Sequence, residues 1–410
     1  MAEVTGCRSC GSTALRTFLD LGTVPLPTAL LTAEQLGQPE PRFPLEVAHC
    51  PDCSLVQILE DVPPEQLFVD NYLYFSSFSD ALLSHSRRHA QRLLRERGLG
   101  ADSLVVELAS NDGYLLRNFV TAGVPVLGVD PAPGQAEAAN RDGVRTIPEF
   151  FGLDLARRIR EEVGPADVVI ANNVMAHIPD PNDVVAGIAH LLADDGVVRI
   201  ENPYVRDLVD GCEFDTIYHE HFFYHSCTSI DRLVGRHGLH LNDVEYFPDL
   251  HGGTLRWHVS AKHERSSAAE RYLAEEEAAG ITDFAYYADF ARRVEDVRTE
   301  LVTLLERLRG EGRTIAAYGA AAKGSTLTNY AGIGPDLVDF VVDRNVHKQG
   351  LFTPGMHLPV RAPEELLSAQ PDYTLLLTWN FREEIMEQQQ EYVRRGGRFI
   401  VPLPWPEVTP

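Results

Sequence analysis

Short apolar runs and amphipathic stretches alternate twice along this chain, and that alternation restricts the fold more than any other feature. "ALLSHSRRHAQRLLRERGL" has helical apolar spacing and ends at glycine, which predicts a helix. It is followed by a strand in "SLVVELAS", a helix in "GYLLRNFVTAG" and a strand in "VPVLGVD". "ADVVIANN" and "GVVRIENP" predict two further strands, and "GGTLRWHVSAK" an antiparallel edge that closes the unit. A Glu-, Ala- and Arg-rich helical stretch over 263–312 leads into a second series of strands, "TIAAYGA", "LVDFVVD", "YTLLLTW" and "RFIVPLP". Strands separated by helices pair in parallel with helices on both faces. The expected class is therefore α/β, with central and C-terminal Rossmann-like domains over 71–262 and 263–410 behind a small module over 1–70. Open sheets of this kind take ligands at the carboxyl ends of their strands, so two such sheets predict two ligand sites.

The first 70 residues carry a different signal. Cys7-x-x-Cys10 and Cys50-x-x-Cys53 are two knuckles of the type that each hold two corners of a tetrahedral zinc ion. Disulfides or free thiols are the competing reading. Four thiolates leave no open coordination position, so such a zinc is structural. Cys212 and Cys227 lack this spacing and are read as packed thiols.

Net charge is −24, from 36 basic and 60 acidic residues, which argues against nucleic-acid binding driven by phosphate neutralisation. No apolar run is long enough for a membrane helix, and "MAEVTGCRSCG" lacks a secretory signal's basic start and apolar stretch, so no membrane partner and a cytoplasmic location are expected. Lysine occurs only at 262, 323 and 348, which singles out Lys323 inside a Gly/Ala-rich turn.

The first strand-to-helix junction reads Glu107-Leu-Ala109-Ser-Asn111-Asp112-Gly113. A pyrophosphate-binding turn would carry G-x-G-x-x-G here, whereas this loop has one glycine and two acids. Asp130, ending the next strand, is positioned to accept both hydroxyls of a ribose. Adenosine bearing a sulfonium, as in S-adenosylmethionine, suits these acids better than NAD. An ordinary tight turn with a capping Asp is the plain alternative.

Several motifs occur together and in order: the cysteine pairs, "YLYFSSFS" (72–79), "ELASNDGYLL", "ANNVMAHIPD", "ENPY", "YHEHFFYHS", "HGGTLR" and "GAAAKGSTLTNY". The set resembles, over essentially the whole chain, the S-adenosylmethionine-dependent C-methyltransferases that act on thymidine-diphosphate-linked keto sugars in deoxysugar biosynthesis. One departure is Ala109, where relatives often place glycine. The resemblance makes the central domain a methyltransferase domain, with Tyr72, Ser77, Glu107, Ala109, Asn111, Gly113, Asp130, Asn172 and Asn173 holding the cofactor. It implies a dTDP-linked keto sugar held by Asn202, Tyr224, His251, Lys323, Ser325, Thr326 and Asn329, with Tyr330 extending the contact. A monomer is expected.

"GAAAKGSTLTNY" is not a P-loop, because its lysine precedes the glycine. A helix N-terminus with Lys323, Ser325 and Thr326 can nevertheless hold a diphosphate, or one hydroxyl can simply cap the helix. "YHEHFFYHS" enters a helix for which Ser226 or Thr228 is the expected N-cap. The helix's positive end would keep a nearby histidine neutral. Methylating a sugar carbon beside a 4-keto group needs a base at that carbon and donors at the ketone. The resemblance assigns the base to His221, supporting roles to Tyr218 and Glu220, and reach to the reacting centre to His177 and Tyr72. His219 and His221 flanking Glu220 could instead grip a cation if extended. The activity expected is C3 methylation, with C5 methylation or an NAD-dependent sugar-nucleotide epimerase or dehydrogenase as rivals.

Overall fold

A computed structural model describes residues 4–60, 62–63, 67, 75–250 and 252–409. The expectations placed on Tyr72 and His251 lie outside the described residues. The cysteine knuckles open a four-stranded antiparallel sheet of Arg16–Val24, Phe43–His49 and Val56–Ile58, whose fourth strand is Phe223–Tyr224 from far along the chain. Tyr224 pairs with Val56 and Phe223 with Gln57, so the histidine-rich stretch completes the cysteine module's sheet.

The central sheet has seven strands. From one edge they run His240–Phe247, Thr254–Ser260, Leu192–Pro203, Ala166–Asn172, Val105–Leu108, Val126–Val129 and Thr146–Ile147. The last five pair in parallel, and Thr254–Ser260 runs antiparallel between its two neighbours. Three details differ from the sequence reading, the first being the short edge strand Thr146–Ile147, which was read as no element. Thr254–Ser260 is interior, because His240–Phe247, read as no element at all, forms the edge beyond it. The helix expected in "GYLLRNFVTAG" shrinks to Arg117–Thr121, since its first residues are spent on a turn that buries Tyr114, Leu115 and Leu116. Val105–Leu108 is buried throughout, as a strand covered on both faces must be.

The third sheet orders Val360–Arg361, Val341–Val342, Ile315–Tyr318, Tyr373–Leu376, Arg398–Val401 and Glu407–Val408, parallel except for the last. Helix Ser267–Ala279 packs on the central domain and Phe284–Gly310 on the first and third sheets' side, so one continuous core joins Cys7, Leu45 and Phe223 to Leu301, Ile315 and Leu375. Among the described residues no helix is long and apolar enough to cross a membrane.

Candidate active site at the junction of three sheets

The four cysteines meet. Their ligand atoms lie within 4.8 Å of one another, with Cys7 and Cys53 sulfurs 3.4 Å apart and Cys10 and Cys50 sulfurs 3.5 Å apart. A disulfide would need about 2.05 Å, whereas zinc–sulfur bonds of about 2.3 Å place tetrahedral sulfurs about 3.8 Å apart. The donor set fits zinc: four sulfurs from two tight turns and no open position. Cys212 and Cys227 are buried free thiols away from this cluster.

At the carboxyl edge of the central sheet the loop after Val105–Leu108 alternates into left-handed backbone, with φ of 53° at Ala109, 49° at Asn111 and 75° at Gly113. Gly113 also faces Val144 so closely that an added Cβ would lie 2.9 Å from its Cβ. Ala109 thus occupies a conformation that glycine adopts without strain, which is the physical meaning of the departure noted at that position. Asp130 accepts from the backbone amides of Asn111 (2.8 Å) and Ala132 (2.9 Å), bracing the loop while its remaining lone pairs stay available to hydroxyls. Ser76 and Ser77 donate backbone amides to Asn111 Oδ1 and Asp112 Oδ2, which ties the arm before helix Asp80–Arg97 to the loop.

Along this edge the buried polar atoms left without hydrogen-bond partners are the acceptors Glu107 Oε2, Asp112 Oδ1, Asn172 Oδ1 and Asn173 Oδ1, together with the Ser110 hydroxyl. Burial, then Asp130 and Asp112, pushes the Glu107 carboxyl well above the usual range. Buried acceptors of this kind fit S-adenosylmethionine, which brings hydroxyl and ammonium donors and a positive sulfur, and do not fit a pyrophosphate. Glu107, Asn111, Asp112, Asp130, Asn172 and Asn173 are the residues that would hold it.

Beyond Asn172 and Asn173 the chain turns through Met175–His177. His177 Nδ1 donates to the Glu220 carbonyl at 2.6 Å, and its ring centroid is 4.8 Å from that of His221. His221 Nδ1 donates to the Thr216 carbonyl at 2.9 Å, with the Tyr218 ring tilted by 31° at 4.1 Å and Tyr224 edge-on at 6.2 Å. A carbonyl only accepts, so in each neutral ring the proton sits on Nδ1 and Nε2 carries the lone pair. Burial lowers the His177 pKa, keeping that ring neutral.

The other members of the motif face elsewhere. His219 Nε2 donates to the Pro44 carbonyl, and His225 lies buried against Trp257, its pKa lowered by burial to about 4. His219 is turned into the cysteine module, and among the described residues the four cysteines are the group of three or more ligating side chains close enough to share a metal ion. Glu220 accepts from Thr28 Oγ1 at 2.9 Å while its Oε2 is buried without a partner, and burial pushes its carboxyl up to about 7.

Helix Cys227–Gly235 is capped by Ser226 in a reciprocal box with Ser229. Its positive end is occupied by the buried Glu276 carboxylate, which accepts from the Cys227 and Thr228 amides at 2.7 and 2.8 Å. The expectation that this end keeps the histidines neutral is therefore corrected: Glu276 neutralises it, and burial does that work at His177, His219 and His225.

The C-terminal residues expected to form one phosphate cradle point in different directions. Helix Ala322–Ala331 has Ala321 as N-cap, so neither Ser325 nor Thr326 caps it. Ser325 lines a narrow cleft with Pro27, Leu30 and Gly319, and Asn329 donates to the Ser325 and Pro354 carbonyls. Thr326 Oγ1 donates instead to the Ile217 carbonyl at 3.1 Å. Tyr330 donates to Glu295 and packs edge-on against Phe214. Lys323 Nζ has no hydrogen-bond partner, sits 4.8 Å from the Trp379 ring centroid, and shares its electrostatic neighbourhood with Glu213 and Asp215. Asn202 is buried near the end of Leu192–Pro203, its Oδ1 unpartnered like the Tyr224 hydroxyl. Sequence reasoning missed Thr28, Asp215, Thr216 and Trp379. The first two and the last carry no motif, and Thr216 acts through its carbonyl, which every residue possesses.

Comparison with known proteins identifies the family. Residues 249–404 match the family model "C-methyltransferase C-terminal domain", 82–244 match "Methyltransferase domain", and 7–68 match "Putative zinc binding domain". The chain is 39% identical over 405 residues to C-methyltransferase NovU of Streptomyces niveus, spanning 98% of this chain and 96% of that protein. It is 28% identical over 96 residues to a ubiquinone biosynthesis O-methyltransferase of Bordetella avium (strain 197N), 23% of this chain and 40% of that one. Among solved structures it resembles magnesium protoporphyrin IX methyltransferase (ChlM) from Synechocystis PCC 6803 with bound SAM, at 16% identity and a TM-score of 0.34, covering 49% of this chain and 89% of that one. The chain belongs to the C-methyltransferase family, and it is an S-adenosylmethionine-dependent methyltransferase with a four-cysteine zinc-binding module.

Proposed function

We propose that the protein methylates C3 of a dTDP-linked 4-keto deoxysugar, with His221 as the base. The observation that carries this reading is the His221–Thr216 hydrogen bond, which commits the ring proton to Nδ1 and the lone pair to Nε2, one histidine away from the cofactor edge. The ketone acidifies the hydrogen on its neighbouring carbon, and His221 Nε2 removes it. Glu220, protonated up to about neutrality and with an unpartnered buried oxygen, donates to the ketone as negative charge develops there. Tyr218, its ring against His221, orients the sugar, and Lys323 supplies charge for the diphosphate from the C-terminal side. When bound, S-adenosylmethionine supplies the electrophilic methyl group that the resulting carbon nucleophile takes.

The test is solvent exchange on the keto sugar in D₂O. His221→Asn is expected to lose exchange and methyl transfer by at least about 100-fold, with S-adenosylmethionine affinity unchanged; exchange at the wild-type rate would sink the base assignment. Exchange located at C5 in the wild-type enzyme would replace C3 with the C5 reading.

A further inference from the structure

The carbonyl that fixes the His221 tautomer belongs to a 3-10 turn, Phe214–Thr216, and the C-terminal domain grips this turn at two points and the next residue, Ile217, at a third. Trp379 Nε1 donates to Asp215 Oδ2 at 2.7 Å, Thr326 Oγ1 donates to the Ile217 carbonyl, and Tyr330 packs on Phe214. Asp215 has no solvent exposure, so its placement is not that of a casual surface contact. A buried carboxylate with only one side-chain donor is expensive unless that donor is held in place. Helix Ala322–Ala331 and the Trp379–Phe381 turn both lead from carboxyl ends of adjacent strands in the third sheet, where a doubly wound sheet takes its ligand. Lys323 lies over the same Trp379 ring, so a ligand drawing on Lys323 acts on the residue that holds Asp215.

We infer that Trp379 and Asp215 are positioning residues which, with Thr326, hold the Thr216 carbonyl against His221 Nδ1 and so couple the C-terminal domain to the protonation pattern of the base. The inference rests on the reading of His221 given above. Neither residue touches the reacting carbon. Trp379 fixes Asp215, Asp215 fixes the turn, and the turn's carbonyl leaves His221 Nε2 as the acceptor. When the turn slips, the ring can rotate or carry its proton on Nε2, where it cannot take another.

The experiment compares Trp379→Phe, which keeps the ring under Lys323 but removes the N–H, with Asp215→Asn, which keeps an oxygen that accepts from Trp379. Trp379→Phe is expected to lower kcat and sugar hydrogen exchange by about 100-fold, the scale of a misplaced catalytic group, with KM and S-adenosylmethionine affinity near wild type. Asp215→Asn is expected to retain most of the exchange. Ring ¹⁵N shifts give a readout independent of activity: His221 Nε2 is unprotonated in the wild-type enzyme and Asp215→Asn, and becomes partly protonated in Trp379→Phe and Thr326→Val. A Trp379→Phe enzyme that keeps the wild-type tautomer, or that changes KM alone, overturns the coupling. His221→Asn separates the two readings. If it exchanges normally the base assignment fails, while the ¹⁵N shifts still decide whether Trp379 governs the His221 proton.

Discussion

Glu220 is a carboxyl group without solvent: it holds one hydroxyl, from Thr28, and burial pushes it from an ordinary 4.5 up to about 7. Because the folded pKa is the higher one, the folded state binds more protons than the unfolded chain between these values, and stability from this group falls as pH rises through that window. Glu220→Gln removes the effect. Relative to wild type, the variant is expected to match near pH 4.5 and to gain up to about 3 kcal/mol above pH 7, read from urea midpoints. Its activity should also lose the decline above about pH 7 that deprotonation of a donor imposes, at the cost of a lower maximum. At this scale the sequence was informative about residue type and silent about partners. His219, His221 and His225 are alike in the sequence, yet one donates to Pro44, one to Thr216 and one lies against Trp257.

The loop between Glu107 and Gly113 shows how an element can be legible in outline and still hide its strain. One glycine was visible, but the left-handed backbone at Ala109 and Asn111 appears only when the loop closes over Asp130. Gly113→Ala adds a Cβ against Val144 to a residue with φ of 75°. Its cost is expected to be about 2–3 kcal/mol from strain and overpacking, measured as a lower Tm, with weaker S-adenosylmethionine binding by calorimetry. Helix Cys227–Gly235 narrowed its N-cap to Ser226 or Thr228 in the sequence, of which the structure takes Ser226, but gave no sign of Glu276, which arrives from another helix to take its positive end. The edge strand His240–Phe247 was missed because its buried apolar residues, Leu241 and Val244, do not keep a strict alternation, and a register shift falls between Leu241 and Asp243.

Across the whole molecule, the segment from Glu213 to Ser226 touches every sheet. It lends Phe223–Tyr224 to the cysteine module, hangs His221 beside His177 of the central domain, and is gripped by Trp379 and Thr326 of the third. Zinc therefore supports more than its own module. Removing it with a chelator is expected to lower the Tm of the whole chain, because Cys7 and Cys53 belong to the core that also contains Phe223 and Ile315. Hydrogen exchange should rise at Phe223 and Tyr224 together with Val56 and Gln57, and methyl transfer should fall with it. Loss of zinc with unchanged protection at Phe223 would contradict this coupling.

The sequence by itself determined the parallel sheets, the four-cysteine site, the acidic loop from Glu107 to Gly113 and the capped helix after the histidines, because periodicity, ligand spacing and caps are local. Only the tertiary structure decided which histidine carries its lone pair outward, that Glu276 and not a bare helix end faces Cys227, and that Lys323 leans over Trp379. Those outcomes depend on burial and on carbonyls from distant segments, and neither quantity exists until the three sheets close on one core.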